Sequence, residues 1–372
     1  MSRYNERVIL AIDLDYFFAQ CEEIRKPEIK GKPVVVCVYS GRTEESGAVS
    51  TCNYIARKLG VRSGIPIIQA KRILSGNNES VFLPVDNDYY ETISERIMEI
   101  LGSRISRMEQ VSVDEAYLDV TSNTSGDYSA AQTIATQIKK NILDSESLTC
   151  SIGIGPNKLV AKMAVDYRKP DGLTIVQRDQ VRLFLNPLPV GRLFGVGPKT
   201  EQRLASLGIL TVKNLANFSA EVLAKEFGKK LGPSLRQAAL GIDEDQVQER
   251  EPEQLSRIVT LKHDAIEFCF ANELQPLCRD ISEKLDSKGL LCNSISIIVI
   301  TMELKTKNRT RTLKAPTNSA DEIFSAVSEM FKSYFGENPE SRVRRVGVKV
   351  SSLVGAKTSR NVSLTEFFSQ SS

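Results

Sequence analysis

Val8-Ile9-Leu10-Ala11-Ile12-Asp13-Leu14-Asp15 is the stretch on which the fold turns. An unbroken apolar run this short, rich in β-branched residues, reads as a buried strand. It ends in two aspartates at the strand's C-terminal end. Far along the chain, Ser112-Val113-Asp114-Glu115-Ala116 sets two adjacent carboxylates in an apolar strand context. A buried carboxylate is costly unless it is paired or bound to metal. Neither segment holds an arginine or lysine. Two strand-borne acidic sites without local counter-charge point to a divalent cation, and all-oxygen donors favour magnesium, manganese or calcium over zinc. A single aspartate at a strand end also reads as an exposed turn residue, and spacing alone does not bring Asp13 to Asp114 and Glu115.

Working outward, helical spacing follows over 16–25, a second strand opens after Pro33 over 34–38, and 40–47 is a loop before a short helix at 53–59. A long helix is expected over 84–101. Alternation over 110–120 gives one or two strands. A helix over 129–143, a strand over 150–154 and a helix over 157–165 lead to the turn Pro170-Asp171-Gly172. Strands and helices mix without strict βαβ repetition, so the class is α+β. From Val181 to Gly241 short helices are punctuated by glycine, and the charged run 244–253 reads as a linker. Strands at 258–263, 293–303, 310–313 and 345–353, with helices near 272–288 and 320–335, make a second, smaller α+β domain.

The 372 residues exceed one hydrophobic core, so two to four domains are expected. The net charge of +3 is too small to identify a nucleic-acid binder by itself. Seven cysteines are scattered without a C-x-x-C pair, and His263 is the one histidine, which argues against a disulfide framework or a zinc site. His263 lies between Lys262 and Asp264 in a polar stretch, a poor setting for Ser-His-Asp chemistry. Catalysis therefore rests on carboxylates, lysines, arginines or metals. No apolar run approaches the roughly 18 residues of a membrane span, and Met1 to Arg7 lacks a secretory core. The expectation is a cytoplasmic, monomeric protein with no membrane association.

Asp13-Leu14-Asp15-Tyr16-Phe17-Phe18 resembles the first catalytic motif of the Y-family DNA polymerases. Ser112-Val113-Asp114-Glu115-Ala116-Tyr117-Leu118-Asp119 resembles the second, and Ser151 to Lys162 is similar to the third block. Order and spacing match, most closely those of the DinB-like branch of archaeal type, from about Val8 to Leu353. The resemblance implies a right-hand polymerase: palm 1–17 and 83–172, fingers 18–82, helical thumb 173–241, linker 242–256, little finger 257–354, and a tail 355–372. It implies low-fidelity primer extension past damaged template with dNTPs, without a proofreading exonuclease. Two Mg2+ ions, replaceable by Mn2+, would be held by Asp13, Asp114, Glu115 and the Leu14 carbonyl. Asp15 and Asp119 are read as structural.

By the same resemblance, Tyr54, Arg57 and Lys169 hold the triphosphate, with Phe17, Phe18 and Thr51 beside them. Tyr54 and Arg57 are three apart and share a helix face. Phe18 is the steric gate under the sugar, and Val38, Arg42, Ala48 and Gly64 roof the base pair. Leu193 to Thr200 resembles a helix-hairpin-helix, whose Gly195, Gly197 and Lys199 would offer backbone N–H groups and charge to a phosphate. Gly228 to Gly232 is a weaker second copy. Alternation puts Lys305, Lys307, Arg309 and Arg311 on one strand face. Arg345 and Lys349 share parity on the last strand, while Arg344 faces the other way. These would grip primer–template DNA through its phosphates. The tail residues Asn361, Leu364, Phe367 and Phe368 resemble a peptide that binds a PCNA-like sliding clamp, although glutamine is usual where Asn361 stands. Two rivals remain at this level: a metal-dependent nuclease, and a DNA-binding scaffold without activity.

Overall fold

The computed structural model describes residues 7–103, 105, 107–249 and 252–356. The peptide expected to bind a sliding clamp, Asn361 to Phe368, therefore lies outside the described residues. The chain divides into two units. One comprises Met1–Cys37, Val49–Ile65 and Ala70–Arg250, the other Val38–Ala48, Pro66–Gln69 and Glu251–Ser372. In chain order the elements begin with β1 (Ile9–Leu14), α1 (Phe17–Arg25), β2 (Val34–Tyr39), β3 (Gly47–Cys52), α2 (Tyr54–Lys58), α3 (Ile67–Ile73) and β4 (Val81–Pro84). Next come α4 (Asn87–Gly102), β5 (Met108–Gln110), β6 (Glu115–Asp119), α5 (Thr121–Thr124), α6 (Tyr128–Glu146), β7 (Cys150–Gly155), α7 (Lys158–Tyr167) and β8 (Leu173–Ile175). Five short helices follow: α8 (Val181–Leu185), α9 (Pro198–Ser206), α10 (Val212–Ala216), α11 (Ala220–Phe227) and α12 (Leu231–Ala239). The chain closes with β9 (Gln254–Ala265), α13 (Ala271–Ser287), β10 (Leu290–Thr301), β11 (Thr306–Thr317), α14 (Ala320–Glu337) and β12 (Val343–Gly355).

The sheet that positions the acidic residues has the order β5-β6-β1-β7-β8. The apolar run at the N-terminus is its central strand, antiparallel to β6 on one side and β7 on the other. Successive side chains alternate faces. Val8, Leu10, Ile12 and Leu14 enter a core completed by Tyr90, Ile93 and Ile97 of α4 and by Ala131, Ala135 and Ile138 of α6. Ile9 and Ala11 point the other way, onto Ala161 and Val165 of α7. Asp13 is next in that second series, so alternation carries it to the α7 side. Helix α7 lies close against β7 because position 153 is glycine: a Cβ there would fall on the carbonyl of Ala161.

Of the one or two strands expected over 110–120, the structure has two, β5 and β6, joined by a turn that carries Asp114. The helix expected from Pro84 starts at Asn87, where Asp86 caps it by accepting the Tyr89 N–H at 3.3 Å. Strands β3 and β4 and helix α3 are not foreseen in the sequence reading. All three are short, and none shows sustained periodicity.

A buried ion pair ties the sheet of the first unit to the chain beyond α12. Lys158 Nζ lies 2.9 and 2.7 Å from the two oxygens of Glu109, over the Tyr117 ring at 5.1 Å. The Gln248 N–H donates to the same carboxylate at 3.4 Å. Both charged side chains are under a tenth exposed. Removing one partner leaves a buried charge alone, so Lys158→Met is expected to destabilise this unit by about 3–5 kcal/mol. A denaturant titration followed by tryptophan-free probes, such as circular dichroism, reads that loss.

In the second unit the sheet order is β11-β10-β12-β9, antiparallel throughout. Val346, Val348 and Val350 of β12 share a core with Ile281 of α13 and Phe331 of α14, so both helices cover one face. The expected basic strand face exists, but it is turned toward the helices. Arg309 and Arg311 pair with Glu337 and Glu329 of α14 at 2.8 Å each, and Lys307 sits 5.7 Å over the Tyr334 ring. Lys349 lies opposite Ser296 and Ser256, and Ser296 bonds Thr310 across the strands at 2.7 Å. Cross-strand partners share a face, so Lys349 and Arg345 lie on the open side with these hydroxyls, opposite Arg309 and Arg311. Arg344 falls at the bulge between Val343 and Arg345. Also within this unit, Arg42 donates to the Leu261 carbonyl at 2.7 Å and forms an ion pair with Asp264.

Candidate active site

The site is built where β1 ends. The strand register sets Asp13 opposite Glu115 on β6 and opposite Ser151 on β7. The Leu14 N–H donates to the Asp114 carbonyl at 2.9 Å, which draws the turn before β6 against the end of β1. After Asp15 the chain turns sharply at Tyr16, whose φ is +38°, and enters α1. A cavity of about 300 Å³ opens there, lined by Asp13, Leu14, Phe17, Phe18 and Asp114, with Thr51, Tyr54, Arg57 and Lys169 across it.

Helix α2 holds its side chains through a buried asparagine. Asn53 accepts from the Ala56 and Val34 N–H groups at 3.0 and 3.2 Å and donates to Glu23 and to the Lys32 carbonyl at 2.7 Å each. Arg57 is aimed by its donations to the Cys52 carbonyl at 3.0 Å and to Thr51 Oγ1 at 3.4 Å, and stacks over Tyr54 at 5.1 Å. Burial, then the Asp15 charge, push the Tyr54 phenol up to about 12. It therefore stays a neutral hydroxyl donor at neutral pH. Tyr16 packs edge-on against Tyr54 at 5.3 Å, and burial with Glu23 nearby pushes it up to about 12 as well.

The carboxylates do not lack counter-charge, as their own segments imply. It arrives from α7 and the turn after it. Lys162 Nζ lies 2.9 Å from Asp13 and 2.8 Å from Glu115, and Lys169 Nζ lies 2.7 Å from Asp13. Burial opposes the charge on Lys162, but Asp13 and Glu115 outweigh it and hold its pKa above the usual lysine range. Asp114 turns to Ser112 Oγ at 2.6 Å. Among the described residues, no three His, Cys, Asp or Glu side chains converge on one point as a ready metal cage. The donor set still fits a hard divalent cation: carboxylate oxygens on adjoining strand ends and nothing softer. Lys162 and Lys169 offset part of the carboxylates' charge. Lys162→Met is expected to lower the melting temperature in EDTA by roughly 5–10 °C. Magnesium should then restore more stability to the variant than to the parent, as differential scanning fluorimetry would read.

Phe17 is buried in the main core, whereas Phe18 is half-buried, faces the cavity and stacks on Tyr90 at 4.3 Å. Of the residues expected over the base pair, Gly64 lies in the first unit with φ +86°, while Val38, Arg42 and Ala48 belong to the second unit, where the Arg42 guanidinium is engaged with Asp264 and Leu261. Ser50 and Ser63 also line the cavity. Nothing in their sequence context distinguishes them. In the helical segment, Gly195 has φ +88° and Gly197 precedes Pro198 at the start of α9. Gly195, Gly197 and Lys199 are all exposed. The second glycine turn joins α11 to α12, with Gly228 at φ +89°.

Three family models match the chain: the impB/mucB/samB family over residues 12–166, its C-terminal domain over 252–364, and the DNA polymerase-iota thumb domain over 191–243. The DNA polymerase IV of Nitrosopumilus maritimus is 44% identical over 365 residues, 97% of this chain and 99% of the relative. That of Methanosarcina acetivorans is 46% identical over 356 residues, 94% and 96% of the two chains. Among solved structures, a Y-family DNA polymerase chimera of Dbh and Dpo4 superposes with a TM-score of 0.85 at 34% identity, covering 94% of this chain and 99% of its own. An insertion ternary complex of Dbh DNA polymerase gives a TM-score of 0.71 at 34% identity and the same coverage.

Proposed function

Because the chain belongs to the impB/mucB/samB family of DinB-type Y-family DNA polymerases, and is a DNA-directed polymerase of the translesion class, we propose that it extends a primer past damaged template by two-metal nucleotidyl transfer. The observation that carries this is one cavity shared by Asp13, Asp114, Tyr54, Arg57 and Lys169, with Glu115 opposite Asp13 in the strand register. Carboxylates for divalent cations and donors for a triphosphate meet there.

The reaction joins the primer 3′-oxygen to the α-phosphorus of the incoming dNTP and releases pyrophosphate. Two bound Mg2+ ions, or Mn2+ in their place, would lower the pKa of the attacking hydroxyl and neutralise the leaving group. Asp13, Asp114, Glu115 and the Leu14 carbonyl would hold them. The protein's remaining work is positioning and charge. The neutral Tyr54 hydroxyl donates to the triphosphate. Arg57, with its fork already oriented, takes two oxygens, and Lys169 leaves Asp13 for the phosphate as a mobile point charge. Phe18 lies under the sugar as the steric gate.

Sheet β5-β6-β1-β7-β8 is the palm in this reading, and 18–82 the fingers. Residues 173–241 are the thumb, 242–256 the linker and 257–354 the little finger. Phosphates bind at the exposed N–H groups near Gly195 and Gly197, at Lys199, and on the open face bearing Arg345 and Lys349. Lys305, Lys307, Arg309 and Arg311 contribute only from the sheet edge. In this reading synthesis is of low fidelity, because steric differences in an open pocket discriminate weakly, and it proceeds without a proofreading exonuclease. The tail around Asn361, Leu364, Phe367 and Phe368 docks on a sliding clamp, and the enzyme works as a monomer. In keeping with an enzyme of DNA, no helix among the described residues is long and apolar enough to cross a membrane.

Primer extension with Mg2+ and dNTPs on undamaged and abasic templates tests the reading. The expected result is extension beyond the abasic site that EDTA stops. Failure of well-folded protein to extend either primer, or degradation of the primer without dNTPs, overturns it.

A further inference from the structure

Asp15 follows Asp13 by two residues but does not face the cavity. Its side chain is buried, and the residue is 1% exposed. Its carboxylate accepts from Ser151 Oγ at 2.7 Å, from Thr149 Oγ1 at 2.9 Å and from the Asp171 N–H at 2.8 Å. Thr149 is itself fixed, because its N–H donates to Gln20 at 2.8 Å, and Gln20 donates back to the Asp15 carbonyl at 2.8 Å.

The third donor connects this buried group to the substrate site. Asp171 lies in the turn that carries Lys169, and adopts φ +52°, a left-handed conformation that persists where surroundings dictate it. Gly172 is pressed on the Arg168 carbonyl so closely that a Cβ there would collide with it, and its N–H donates to Ser151 Oγ at 3.2 Å. Lys139 clasps the turn from outside through Asp171 at 2.6 Å. One strand end thus holds both ends of the turn: Asp13 takes the Lys169 ammonium, and Asp15 takes the backbone two residues on.

We propose that Asp15 is a positioning residue for nucleotide binding, fixing through Asp171 the turn that aims Lys169 at the triphosphate. The inference rests on the reading of Lys169 as a triphosphate ligand. An ammonium on a long flexible stem loses its effect when its backbone anchor wanders, and small misplacements in an active site cost large factors. Asp15 touches no reacting atom, so its removal should weaken dNTP affinity while leaving DNA affinity alone.

The measurement is equilibrium binding of the complementary dNTP, with Mg2+, to enzyme on a dideoxy-terminated primer–template, where no turnover occurs. Lys169→Ala is expected to weaken dNTP binding about tenfold or more. Asp15→Asn, close to isosteric, should weaken it by a similar factor with primer–template Kd unchanged, and should add nothing further in the Lys169→Ala background. Unchanged dNTP affinity in Asp15→Asn, or an effect that adds in full to that of Lys169→Ala, overturns the inference. If Lys169→Ala itself has no effect, the triphosphate reading fails first and the inference with it. Should Asp15→Asn not melt cooperatively, the same cycle with Thr149→Val, which removes one donor to Asp15, decides by the same criteria.

Discussion

Alanine at both Asp114 and Glu115 is expected to lower primer extension by roughly 10³-fold or more, since on the two-metal reading proposed above the cation ligands lost with them supply several kcal/mol of transition-state stabilisation. The fold should survive. Asp114 sits in the turn before β6, and Glu115 is the first residue of the strand. Both are partly exposed, and neither belongs to a core cluster. Lys162 keeps its contact with Asp13 at 2.9 Å, so its charge is not stranded. The melting temperature in EDTA should therefore stay close to that of the parent, and primer–template affinity should not fall. Stopped-flow single-turnover extension separates this outcome from a binding defect. Substantial activity in the folded double variant would remove these carboxylates from the chemistry and revive the scaffold alternative.

What the sequence discloses here follows from how local the causes are. The strand β1 is legible because its burial is written in adjacent residues, and its acidic end is legible as a site because the costs of buried charge are general. The partner of that site is not. Lys162 is 149 positions from Asp13 in the chain, and it arrives only because odd-numbered residues of β1 face α7 and because Gly153 lets α7 approach. Nor does the sequence tell that Asp114 lies in a turn while Glu115 opens a strand. In the second unit, parity alone groups Lys307, Arg309 and Arg311 correctly on one side. It cannot say which side carries the helices, and Glu329, Tyr334 and Glu337 of α14 decide that. Asp15 shows the converse limit. Its reading as structural matches its burial, but its hold on Asp171 depends on a contact between residues 156 positions apart.

Phe18→Ala is expected to erode the preference for dNTPs over rNTPs by about 10–200-fold, the range open to a purely steric difference in a pocket. Neighbouring phenylalanines have different settings. Phe17 is 2% exposed among core residues, and its truncation would open a cavity costing about 3–5 kcal/mol. Phe18 lines the cavity at the end of β1, and its ring lies nearly parallel to that of Tyr90, 14° apart. Tyr90 is itself fixed, because its hydroxyl donates to Glu22 at 3.0 Å. On the steric-gate reading, a ring backed in this way cannot yield to a 2′-hydroxyl by shifting into the core, so exclusion would be by shape. Removing the ring should leave a floor set by Tyr90, with room for the extra oxygen, while the triphosphate contacts proposed at Tyr54, Arg57 and Lys169 would be untouched. The gain should accordingly appear in incorporation of rNTPs, with little loss for dNTPs, and Phe18→Tyr should keep the parent's selectivity. Single-nucleotide insertion of matched dCTP and CTP opposite dG measures both. If Phe18→Ala discriminates as strongly as the parent, the sugar is selected elsewhere and Phe18 is a wall of the cavity without a role in choosing the nucleotide.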